Sequence, residues 1–149
     1  MSSLSDILLT ESRKRAVTAD CVSVIEQYVA GRGGLRGIGM KAGLGLMKTL
    51  RPDLLPRIVA QLLPEIVATL EPCYSESQRT GATFEAAMLT RRDSVAQALV
   101  GIADRRMLTV QNTSAKSIYK RLRGDAEAEV VAALPLLSRT LGKYLDRSA

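Results

Sequence analysis

The sequence predicts an all-α fold: a compact bundle of about six to eight helices, several short and proline-started, with 1–149 forming a single helical domain. Three observations lead there. Apolar residues recur at steps of three and four in several stretches, and no stretch alternates apolar with polar as a half-buried strand would. Capping residues flank those stretches. At 16.1 kDa, the chain should bury about two-thirds of its extended surface and leave roughly 7,400 Å² exposed, which suits one core.

Taken in order, Leu4 to Leu9 make a turn or two of their own. Thr10 then caps a helix whose inner face is Val17, Cys21, Val24 and Tyr28, and Gly31 is placed to end it as a left-handed C′ residue. Residues 31–45 hold seven glycines, yet Leu35, Ile38, Met40 and Leu44 keep the stretch apolar. Each interior glycine costs a helix about 1 kcal/mol relative to alanine. A helix over Arg36 to Leu50 therefore needs a neighbour packed closely on its glycine surface, and Gly39-xxx-Gly43 is the small-residue spacing that admits one. Pro56, Pro64 and Pro72 stand eight apart in a repeated PxIVAxL pattern. Proline suits the first turn of a helix, so two short segments joined by bends are expected, with Pro72 starting a third toward Gly81. Val95, Leu99 and Ile102 mark the next helix. Thr113 caps another, with Ala115, Ile118, Tyr119 and Leu122 inward and Gly124 as its stop. Asp125 caps the last, whose stripe is Val130, Leu134, Leu137, Leu141 and Leu145, with a kink or break at Pro135.

The composition excludes much chemistry. With no histidine, there is no imidazole base, no His-containing zinc site and no His proton switch. Cys21 and Cys73, 52 positions apart, form no metal-ligand spacing and read as buried free thiols of a reducing compartment. Gly37-Ile38-Gly39-Met40-Lys41-Ala42 fits the looser dinucleotide fingerprint, but that pattern counts only after a strand, and a helical stripe precedes it. No catalytic residue, metal or cofactor is expected, and the chain reads as a non-enzyme. The longest uncharged stretch, Ser94 to Ala103, is about half of what a bilayer requires. Without a basic leader before Ile7-Leu8-Leu9, the expectation is a cytoplasmic protein, peripheral at the membrane at most.

The charge is the informative feature. The total is 21 bases and 15 acids, net +6. Between Glu26 and Asp53 there are five bases and no acid; between Asp104 and Asp125 there are six bases and no acid. The remainder carries ten bases and fifteen acids, net −5. The excess positive charge thus sits in segments 32–51 and 105–123, and the candidate anion-binding residues are Arg32, Arg36, Lys41, Lys48, Arg51, Lys116, Lys120, Arg121 and Arg123. The expected function is a non-catalytic interaction module on an anionic partner. An anionic membrane surface is favoured, because the glycine-rich segment combines apolar residues with lysines. Nucleic acid is the alternative, although the one aromatic ring among the bases, Tyr119, has a spacing that suits the core and not base stacking. A third reading is a homo-oligomer that uses the glycine-rich helix face.

Ser3-Leu4-Ser5-Asp6-Ile7-Leu8-Leu9-Thr10-Glu11-Ser12-Arg13-Lys14-Arg15, with Leu62-Leu63-Pro64-Glu65 further on, resembles an uncharacterised bacterial family of small all-helical domains with no known activity. The resemblance spans most of the chain. It implies a standalone bacterial domain and carries no site residue over.

Overall fold

The computed structural model describes residues 2–146; among them are eight α-helices and no strand. The order is α1 (Leu4–Leu8), α2 (Glu11–Ala30), α3 (Gly34–Leu50), α4 (Leu54–Thr80), α5 (Phe84–Thr90), α6 (Arg92–Met107), α7 (Thr113–Arg123) and α8 (Ala126–Asp146).

The first helix is short but central. Ser3 and Asp6 form a capping box, in which the Asp6 N–H donates to Ser3 Oγ at 3.1 Å and the Ser3 N–H donates back at 3.0 Å. Leu4, Ile7 and Leu8 are buried, and the Leu4 N–H donates to the Glu71 carboxylate of α4 at 2.8 Å. Thr10 caps α2 as expected, accepting from the Arg13 N–H. Val17, Cys21 and Val24 of that helix are buried. Its end differs from expectation. Gly31 has φ −83°, an ordinary right-handed residue, and the left-handed step falls at Gly34, φ +74°, where α3 begins.

The proline repeat is the main departure. Instead of proline-started segments joined by bends, Leu54–Thr80 is one helix of 27 residues, about 40 Å long. Pro56 alone sits in its first turn; Pro64 and Pro72 lie in its interior. Leu55, Val59, Leu63, Val67, Leu70, Cys73 and Ser77 stay buried at steps of three and four right through both prolines. Their burial outweighs roughly 3 kcal/mol of local cost per proline. All three prolines are exposed; Ala60 and Ala68, whose carbonyls the interior Pro64 and Pro72 have no N–H to bond, are half-buried and exposed respectively. Gly81, φ +78°, terminates the helix.

Pro135 likewise interrupts nothing: α8 runs across it, with Leu134, Ser138 and Leu141 buried. Helix α5 was not foreseen; Thr83 Oγ1 caps it by accepting from the Ala86 N–H, and it buries Phe84, Ala87 and Met88. Asn112 caps α7, accepting from the Ala115 N–H at 2.8 Å, in place of Thr113 beside it; Gly124 ends the helix as expected.

The core is shared by α1, α2, α4, α5, α6 and α8, and no residue of α3 or α7 belongs to its buried cluster. Helices α3 and α7 pack on each other outside it, α3 also touching α2 and α4, and α7 touching α8. Only Gly37 of these two helices is buried. The chain exposes 8707 Å², more than the roughly 7,400 Å² its mass predicts, as suits a core with a thin added layer.

Candidate functional site

The α3/α7 layer contains most of the residues singled out by charge. What makes α3 helical despite its glycines is close contact with α7. A methyl group placed on Gly39 would lie 3.3 Å from Leu122 Cδ2, and one on Gly43 would lie 3.3 Å from Ile118 Cγ2. The small-residue spacing is therefore used within the chain. The Gly39/Gly43 side of the glycine-rich helix is covered by α7. The GxGxxA pattern lies inside α3, after a helix and not after a strand, so it forms no dinucleotide turn.

Five of the nine candidate bases have carboxylate partners. Glu129, in the first turn of α8, is the hub. Arg32 Nε and Nη2 donate to its two oxygens at 2.8 and 2.9 Å, and the Tyr28 hydroxyl donates at 2.6 Å. Arg36 adds contacts to Asp125 at 3.0 Å and to Glu129 at 3.6 Å. The Arg32 hydrogen bond is the largest influence holding the Glu129 carboxyl at about 2, despite burial acting the other way. Burial, then the Glu129 carboxylate, pushes Tyr28 up to about 12.

A second cluster repeats the chemistry on α6. Tyr119 donates to Asp104 at 2.6 Å, and Arg123 Nε donates to the same carboxylate at 2.9 Å. The Tyr119 hydrogen bond, then that of Arg123, lowers the Asp104 pKa; burial and Asp104 raise that of Tyr119. Lys48 pairs with Glu26 at 3.2 Å and Arg51 with Asp53 at 3.5 Å.

Lys41, Lys116, Lys120 and Arg121 form no ion pair among the described residues. Of the nine candidates, four thus carry charge without an ion pair; Arg32, Arg36, Lys48 and Arg123 tie the layer to α8, α2 and α6, whereas Arg51 pairs locally with Asp53. In the remainder of the second window, Arg105 pairs with Glu65, and Arg106 buries its Nε without a hydrogen-bond partner. Exposed apolar side chains occur in the same segments as the unpaired bases. Leu35 is 88% exposed and Ile38 66%, both on α3, and Leu108, between α6 and α7, is 84% exposed.

Between α3, α7 and α8 lies a cleft of about 220 Å³ with Met40, Leu122 and Val130 in its lining and Arg36 and Arg123 among its charged residues. Among the described residues, no group of three His, Cys, Asp or Glu side chains could hold a metal ion. Cys21 and Cys73 are buried free thiols, and burial pushes Cys21 up to about 11. No described helix is long and apolar enough to cross a membrane.

The charge windows pointed to this layer, but the clamping acids were missed. Arg32 and Glu129 lie 97 residues apart, and an acid in the first turn of a helix is already accounted for by the helix dipole, so no local pattern marks Glu129 as a partner. No curated protein and no solved structure matches the chain. The model of a family of unknown function, DUF6918, matches residues 4–145, and the chain belongs to that family.

Proposed function

We propose that the protein is a non-catalytic module that attaches reversibly to an anionic membrane surface through its α3/α7 layer. The observation that carries this reading is the combination on one acid-free layer of exposed Leu35 and Ile38 with the unpaired Lys41, Lys116, Lys120 and Arg121. Basic side chains near an anionic leaflet contribute about 1 kcal/mol each. Sinking Leu35 and Ile38 into the interface adds at most about 1.5–3 kcal/mol apiece. Together these favour a weak, salt-sensitive attachment.

Nucleic acid fits less well. Tyr119, the one ring among the bases, donates its hydroxyl to Asp104 and is part of a clamp, not a platform on which bases could stack. Co-flotation with phosphatidylglycerol vesicles, compared with phosphatidylcholine vesicles, tests the proposal. Binding to the first and not the second is expected, and equal flotation with both removes the electrostatic basis.

A further inference from the structure

We propose that the α3/α7 layer is a latch that an anionic phospholipid surface opens, lipid phosphates replacing Glu129, Asp125 and Asp104 as the partners of Arg32, Arg36 and Arg123 while α3 turns its covered apolar side into the bilayer interface. The inference rests on the membrane reading and specifies what happens after contact.

Four features of the layer carry it. First, the buried core cluster contains no residue of α3 or α7, and α3 reaches it only through the half-buried Leu44 and Met47. Segments with few buried apolar contacts are those that open locally. Five glycines in the 17 residues of α3 leave it little helical stability of its own.

Second, polar fastenings hold the layer and remain reachable by another anion. The side chains of Arg32, Arg36 and Arg123 are 32%, 51% and 40% exposed. A guanidinium accepts carboxylate or phosphate oxygens with the same forked geometry, so the exchange needs no new kind of bond.

Third, charge is divided across the fastening. Residues 31–52 and 113–124 carry nine bases and no acid, which leaves the rest of the chain with twelve bases and fifteen acids, net −3. An anionic surface attracts the layer and repels the carboxylates that clamp it, so its field acts to separate the two. Fourth, α3 has more to offer a membrane than it shows. Leu44 and Met47 pack against the core from its inner side, opposite Leu35 and Ile38.

The chain has no tryptophan, so single-tryptophan variants report without background. Leu35→Trp marks the outer side of α3 and Met47→Trp the inner side. With phosphatidylglycerol vesicles carrying brominated acyl chains, the latch predicts at least twofold quenching of both. Quenching of Leu35→Trp alone overturns the latch and leaves membrane docking in place. Failure of both reporters and of flotation removes the membrane reading itself.

A charge-neutral measurement guards against disturbance by the indole. Tyr28→Phe with Tyr119→Phe loosens both clusters without changing the charge. A latch then binds anionic vesicles about three- to tenfold more tightly; unchanged affinity overturns it.

Discussion

Tyr28 donates its hydroxyl to Glu129 across 2.6 Å, joining the last turns of α2 to the first turn of α8 over 101 residues of sequence. Arg32 closes on the same carboxylate, and Tyr119, Asp104 and Arg123 repeat the pattern between α7 and α6. Each cluster joins a basic window to the body, so the same arginines that mark the surface also hold it in place.

Replacing the hub should cost stability in a pH-dependent way. Glu129→Gln removes charge-assisted hydrogen bonds at a largely buried carboxylate, a loss of about 1.5–3 kcal/mol at pH 7. Because the folded state holds this carboxyl at about 2, against an ordinary value of 4.5, its contribution is complete above about 4.5. It fades as the pH falls toward 2. Urea unfolding should show a clear gap between wild type and variant at pH 7 that narrows on acidification. A gap that widens toward pH 3 would contradict the assignment.

Asp104→Asn should loosen α7 more than it loosens the protein. Its partners Tyr119 and Arg123 both lie on α7, outside the core cluster. Hydrogen exchange is expected to rise at least severalfold in 113–123 while α4 keeps its protection. Equal acceleration in both helices would mean that α7 is integral to the core.

Glycines of one helix should respond with opposite signs. At Gly45 an added methyl group meets nothing within 4 Å, so Gly45→Ala should gain about 0.5–1 kcal/mol from helix propensity. At Gly37 the same methyl would stand 2.1 Å from the Arg32 carbonyl oxygen, so Gly37→Ala must displace backbone and lower the melting temperature. Thermal unfolding followed by circular dichroism separates the two. A shared sign would show that neither contact nor propensity decides the matter.

Much of the fold was legible because apolar spacing records burial directly: Val17, Cys21 and Val24, or Leu134 and Leu141, are inward in sequence and structure alike. The prolines misled because the first-turn preference was applied to all three, whereas the stripe from Leu55 to Ser77 passes through Pro64 and Pro72 unbroken. That stripe was readable and was outweighed by a local rule. Helix α5 was missed because seven residues hold less than two full periods of any pattern. The need for a neighbour on Gly39 and Gly43 was legible from helix propensity, but its identity, Ile118 and Leu122 of α7, was not. In the site, acid-free windows revealed where the bases cluster. Their neutralisation by Glu129, Asp104 and Glu26 depends on tertiary contacts, which net charge by segment does not record.

The central claim is that four unpaired bases on one layer direct the protein to anionic lipid. Flotation of the Lys41→Glu, Lys116→Glu, Lys120→Glu, Arg121→Glu variant on phosphatidylglycerol vesicles tests it most directly. The control carries the same change of charge elsewhere, at Lys14, Arg15, Arg139 and Lys143, which are exposed on α2 and α8. At about 0.1 M salt, where charges act over about 10 Å, wild type and control should float. The four-site variant should bind at least a hundredfold more weakly, given about 1 kcal/mol per base. Equal flotation of variant and control, or loss of both together, would contradict the claim, since net charge and not this layer would then govern attachment.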